Sequence, residues 1–344
     1  MIALVMAAFA FEPQPTSARP GLDYVAWAAS LEKVAHPEAA YHYAAELHAE
    51  VAPLVAERPG VIRPFVVGET VDRAPIWGFR VSDPTDTPGK KLLVFANIHA
   101  LEWVPSEIAL AFLEEIALDP PRGVEITVIL SLNPDGRAKV EADLLAGRNA
   151  YRRGNEENVD LNRDFAVNRE ARAIWRHVIP KRYATSPAPL SQPESRALDA
   201  LAAAERFDVA VSLHAVGGFL YYPWAGLWER PDDWAEFQRL GLVMQSGMGA
   251  HAYKPRQLAR WGFFFRGHGM EIDHLYGRYG IPSVLIELTR SGITGPRDLS
   301  TPFRWYNPRN LERHVDSGLG ALRAVAWEME RAARTGAPLA WEAP

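Results

Sequence analysis

The chain has 344 residues, a net charge of −5, 48% hydrophobic residues and no cysteine. That length suits one large domain or two small ones, and it can bury about three quarters of its unfolded surface without disulfide staples. The missing cysteines exclude a thiolate metal site and a cysteine nucleophile, and 37 basic against 42 acidic residues leave no basic field for nucleic acid.

The first eleven residues, MIALVMAAFAF, are almost all apolar and reach about half the length of a membrane span. With the small-x-small pattern Ala8-Phe9-Ala10, residues 1–20 read as a secretory leader and linker, although no Lys or Arg precedes Arg19. The expectation is a secreted or periplasmic protein with no membrane span, or a cytoplasmic one if the segment is only an apolar terminus. No strong linker interrupts the remainder, so residues 21–344 read as one domain.

In chain order, residues 37–57 are rich in Ala and Glu and predict a helix ending at Arg58-Pro59-Gly60. Residues 61–67 and 76–81 are short β-prone runs around Gly68 and Asp72 that suit a hairpin. Strands are predicted over 92–98, 126–130, 209–213 and 283–286, each a continuous apolar run. Helices are predicted over 105–118, 192–206, 234–248 and 310–333, and Asn133-Pro134-Asp135-Gly136 has strong turn chemistry. Continuous apolar strands alternating with helices imply an α/β sheet covered on both faces, with ligands beyond the carboxyl ends of the strands.

The chemistry-bearing residues fall at those ends. His99 and Glu102 follow the strand over 92–98, and His214 follows the strand over 209–213. If the two strands are neighbours, two imidazoles and one carboxylate meet at one edge, a donor set that suits catalytic zinc with an open position for water. Spacing alone proves little among 10 histidines, since His268-Gly269-Met270-Glu271 repeats the His-x-x-Glu pattern. Position at a strand end is what distinguishes His99, which taken singly reads as a structural histidine rather than a ligand. Asp160, Asn162 and Arg163 lie close together, and Arg163 offers a planar fork that can hold a carboxylate. Arg152 and Arg153 add guanidinium upstream, with a solvated basic patch as the plain alternative. Glu287 ends the apolar strand over 283–286, where it either pairs with Arg290 or holds a raised pKa suited to proton transfer.

Together these segments resemble the zinc metallocarboxypeptidases of the carboxypeptidase A type. Asn97-Ile98-His99-Ala100-Leu101-Glu102-Trp103 is similar to the first metal motif of that family, and Asn133–Gly136 to its second landmark. Val159–Arg163, Ser212-Leu213-His214 with Tyr221–Trp224, Ile272-Asp273 and Ile286-Glu287-Leu288 follow in the family order. The resemblance implies a three-layer α/β/α fold on a mixed, mostly eight-stranded sheet, and one zinc ion on His99, Glu102 and His214. It implies Asp160 as the carboxylate orienting His99, and Asn162 and Arg163 as the grip on a free C-terminal carboxylate of a peptide substrate. Arg152 matches the arginine that polarises the scissile carbonyl, with Arg153 or Arg148 in its place if the register shifts. Glu287 matches the catalytic glutamate, and Tyr222 and Ile272 fall in the substrate-binding segments, Ile272 in the pocket for the terminal side chain. Three departures stand out: Leu101 replaces a frequent arginine, Phe265 stands near a mobile tyrosine of the family with Tyr253 as a substitute, and Glu271 and Met270 flank Ile272. Fewer than a hundred residues precede the first motif, so no inhibitory pro-segment is expected. The implied function is zinc-dependent removal of C-terminal residues, cell-wall peptides included. Aspartoacylase- or desuccinylase-like hydrolysis of N-acyl amino acids, or an inactive relative that only binds, are the alternatives.

Overall fold

Eight short strands, most of them runs of apolar and β-branched residues, pair into one sheet in a computed structural model that describes residues 21–290 and 292–342. They are β1 (Ile62–Glu69), β2 (Pro75–Val81), β3 (Lys90–Ala96), β4 (Val124–Ile129), β5 (Val209–Ala215), β6 (Phe219–Tyr222), β7 (Lys254–Gln257) and β8 (Ser283–Leu288). Their order is β1-β2-β4-β3-β5-β8-β6-β7. β1 and β2 form the expected antiparallel hairpin, while β4, β3, β5 and β8 run parallel to one another at the centre. The mixed, eight-stranded sheet between helical layers is the architecture the sequence implied. The expected leader lies outside the described residues. No helix among the described residues is long and apolar enough to cross a membrane.

Alternation along the central strands divides the core into two layers. Leu92, Val94 and Ala96 of β3 point to one face, with Val209, Val211 and Leu213 of β5, and are covered by the helices Val104–Leu118 and Glu312–Thr335. Leu93 and Phe95 point to the other, against the helix Pro193–Glu205. A strand buried on both faces has no polar side to show, which is why these runs read as continuously apolar.

Three features escape simple periodicity. The first long helix starts at Ala44 rather than at 37, because the Glu46 carboxylate accepts from the Tyr43 N–H at 2.9 Å and fixes the start there. The helix Glu271–Tyr279 and the edge strand β7 were not expected: the first turn of the former carries buried charged residues, and β7 is short and polar.

The layer around Pro193–Glu205 contains a buried carboxyl, Glu194, which accepts from Asn155 at 3.2 Å. Burial pushes its pKa from 4.5 up to about 7. The folded state therefore holds this proton more tightly than the unfolded chain, so its contribution is fully present below pH 4.5 and is lost as pH rises through about 7. Glu194→Gln removes that loss. The melting temperature of the variant relative to wild type is expected to rise by a few degrees between pH 5 and pH 8, as read by calorimetry at both values.

Candidate metal centre and substrate cavity

Three neighbouring parallel strands end together. Ala96 of β3 pairs with Leu213 of β5, and His214 pairs with Glu287 of β8. After β3 the chain turns sharply at Asn97, whose φ of +54° lies in the left-handed region that Asn tolerates. The Asn97 amide donates to the carbonyls of His99 at 2.9 Å and Glu102 at 3.0 Å, and Ser131 donates to its oxygen at 2.8 Å. From below, Asn133 donates to the Ile98 carbonyl at 3.1 Å, while its own oxygen accepts from Gly136. The Asn-Pro-Asp-Gly turn thus props up the His99 loop.

His99, Glu102 and His214 converge, their ligand atoms all within 4.8 Å of one another. The two Nδ1 atoms face each other at 3.1 Å, and the Glu102 oxygens lie 2.8 Å from that of His99 and 3.2 Å from that of His214. The backbone N–H of Ala215 donates to Glu102 at 3.0 Å and fixes the carboxylate. The outer ring nitrogens point to acceptors: His99 Nε2 lies 3.2 Å from Asp160, and His214 Nε2 lies 3.1 Å from Glu271 and 2.9 Å from Ser212 Oγ. Asp160 and Glu271 thus offer acceptors for an Nε2–H on each ring, the tautomer that leaves each Nδ1 lone pair facing inward for a metal. Two lone pairs and a carboxylate aimed at one point fit a divalent cation, and three N/O donors with room for more suit zinc. In the absence of a metal the same field attracts a proton. Burial works against it, yet hydrogen bonds to Glu102 and Glu271 push the His214 pKa up to about 10. Metal and proton therefore compete here.

Glu287 closes the ring. It is buried, makes no ion pair with Arg290 among the described residues, and its Oε2 has no hydrogen-bond partner. Burial, and next the charge of Glu102, push its pKa up to about 8. Gly217 packs so closely that a Cβ there would lie 2.9 Å from that of Glu287, so this turn tolerates no side chain.

These groups open into a cavity of about 1030 Å³ that also exposes Asn162, Arg163, Tyr221, Met270 and Phe265. Asp160 caps the short turn Leu161–Arg163, accepting from Asn162 N at 3.0 Å, and so ties the His99 partner to the cavity wall. The Asn162 amide nitrogen is buried without a partner, while its oxygen accepts from Glu271 N at 3.0 Å.

Three expected site residues lie elsewhere. Arg152 turns away from the cavity onto the buried carboxylate of Asp143, which also takes Arg148 at 2.7 Å. Arg153 lines the cavity instead, donating to Asp160 at 2.8 Å and lying 3.4 Å from Glu102. Tyr222 is displaced by strand alternation: Phe219 and Tyr221 of β6 face the cavity, whereas Tyr222 stacks on Phe237 and accepts from Gln238. Ile272 is fully buried one layer behind the wall, packed with Tyr221, Leu258 and Met270. Tyr253 is no substitute for a cavity hydroxyl, because its oxygen is engaged by the Thr289 N–H at 3.1 Å. Conversely, Glu271, first noticed in a His-x-x-Glu pair that looked accidental, stands directly behind His214. Its supposed partner His268 bonds to the Asn168 carbonyl at 2.9 Å instead.

A zinc carboxypeptidase family model matches residues 47–302. Mouse carboxypeptidase A2 is 26% identical over 270 residues, covering 74% of this chain and 64% of the relative, so the chain spans just under two thirds of that protein. Carboxypeptidase A from Helicoverpa armigera superposes with a TM-score of 0.66 at 17% identity, over 91% of this chain and 79% of that one. Bovine thrombin-activatable fibrinolysis inhibitor, in complex with tick carboxypeptidase inhibitor, gives 0.65 at 17% identity over 85% and 98%.

Removing the Glu271 carboxylate frees His214 to rotate. Glu271→Ala is expected to weaken Zn2+ affinity by about 10–100-fold, measured by competition with a chromogenic chelator, with Glu271→Gln less affected because it keeps an acceptor.

Proposed function

Since the chain belongs to the zinc carboxypeptidase family, we propose that it is a metallocarboxypeptidase hydrolysing the C-terminal peptide bond of peptides, with zinc held by His99, Glu102 and His214. The observation that carries this reading is the buried carboxylate of Glu287, whose side chain makes no hydrogen bond or ion pair among the described residues, beside the converging donor atoms. The buried carboxylates of Glu194 and Glu271, by contrast, each keep a partner on one oxygen. A protein that only bound peptides would have no use for a carboxylate held as Glu287 is.

When bound, zinc supplies Lewis acidity to the scissile carbonyl and to water. Glu287 takes the proton from the attacking water on a carboxylate oxygen and delivers it to the departing amine nitrogen. Its raised pKa makes it a better base than an ordinary carboxylate and keeps the proton available for the second transfer. Arg153, rather than Arg152, offers N–H groups to the carbonyl oxygen as negative charge develops there. Its pairing with Asp160 and Glu102 fixes the guanidinium before substrate arrives. At the other side of the cavity, Asn162 Nδ2 and Arg163 hold the terminal carboxylate of the substrate, which makes the enzyme an exopeptidase. Asp160 and Glu271 act through the histidines they orient.

Glu287→Gln is expected to retain stoichiometric zinc by elemental analysis while kcat on an N-blocked dipeptide falls by about 10²–10⁴-fold. Near-normal turnover would end the assignment.

The two arginines separate cleanly. Arg153→Ala is expected to lower kcat by about 10²–10³-fold with a small change in KM, whereas Arg152→Ala stays within a few-fold of wild type in steady-state assays.

A further inference from the structure

The acids and the cations that line the cavity differ in how far they are already paired. The acids Glu102, Asp160 and Glu287 all stand around the metal centre, and Glu271 is sealed behind His214. The same cavity lining carries Arg163, Lys181 and Arg182, none of which makes an ion pair among the described residues. Arg163 is engaged only by the carbonyl of its own neighbour, Asn162. Arg182 lies over the Phe265 ring, 4.7 Å from its centroid, so an aromatic face of the cavity wall supports the guanidinium while its donors remain unclaimed. It is near enough to Arg163 to matter: burial first, and then, against the pull of Asp160, the like charges of Arg153 and Arg182 loosen the hold of Arg163 on its proton.

A peptide brings one terminal carboxylate, which Arg163 and Asn162 already accommodate under the proposed function. Lys181 and Arg182 are cationic charge beyond that need. Of the acids that line the cavity among the described residues, Glu102 and Glu287 belong to the metal centre and Asp160 is paired with Arg153, which leaves none for a basic terminal side chain. We infer that the enzyme prefers substrates whose terminal residue carries a second carboxylate, as glutamate or aspartate does, and that Arg182 on the Phe265 ring is the residue that reads it. The inference rests on the carboxypeptidase reading and adds the substrate class to it.

The test is a set of N-blocked dipeptides that differ only in the last residue: Glu, Gln, Leu and Lys. Wild type is expected to favour Glu over Gln by about tenfold or more in kcat/KM, with Lys the poorest, because a charge-assisted hydrogen bond exceeds a neutral one. The Glu/Gln ratio should collapse towards one in Arg182→Ala and survive in Arg182→Lys. If Arg182→Ala fails to fold, the ionic-strength dependence of wild type decides, since added salt should lower the Glu/Gln ratio. A wild-type preference for Leu or Lys, a ratio unmoved by Arg182→Ala, or a ratio indifferent to salt would each overturn the inference while leaving the carboxypeptidase reading intact. Hydrolysis of none of the four, with turnover of N-acyl amino acids, would overturn both.

Discussion

Two imidazole nitrogens held 3.1 Å apart, with a carboxylate beside them, crowd electron-rich atoms together and call for a positive charge between them, a metal ion or a proton. The surrounding structure serves to hold that unfavourable arrangement in place. Asp160 and Glu271 accept at the outer nitrogens and so favour the tautomers whose lone pairs face inward. Backbone N–H of Ala215 fixes the carboxylate. Buried charge this dense is costly by itself, so the site stores a demand for a cation that either a metal or a proton can meet.

The sheet makes this arrangement affordable in geometric terms. Parallel strands β3, β5 and β8 are adjacent and in register, so side chains that leave the sheet at the same level come from distant parts of the chain without long loops. The loops themselves are stiffened by amides rather than by packing. Asn97 ties together the turn that contains His99 and Glu102, and Asn133 ties that turn to the helix Pro134–Leu145. Asp273 plays the same part on the far side, accepting from Ala225 N at 2.6 Å and Gly226 N at 3.0 Å. Precision at the centre thus comes from buried hydrogen bonds that have few alternative partners.

The cavity inherits a division of labour from this layout. Glu102 and Glu287 stand with the metal donors, and Arg163, Lys181 and Arg182 share the same cavity without an ion pair among the described residues. Asp160 and Arg153 neutralise each other across 2.8 Å. Apolar walls from Tyr221, Leu258 and Met270 keep the intervening space poor in competing hydrogen bonds, so charges there act on one another more strongly than in water.

Residue type and strand-end position singled out His99, Glu102, His214 and Glu287 as candidates, because each follows a buried apolar run, and the family resemblance added the part expected of Asp160 within its compact polar motif. The alternation of apolar runs with helical stretches likewise specified a sheet covered on both faces. Direction was another matter. Arg152 and Arg153 are neighbours of identical chemistry, and only the position of Asp143 on a separate helix decides which one turns to the cavity. Tyr221 and Tyr222 differ by a single step of a strand too short to declare its own phase, and Ile272 lies behind a wall that other segments build. Glu271 acquired its place from the start of a helix that its own sequence did not announce. Local sequence therefore determined which chemistry is present and where strands end. Tertiary packing decided which side chains face inward, because that depends on partners far along the chain, 113 residues away for Glu102 and Ala215, and on no periodicity within the segment itself.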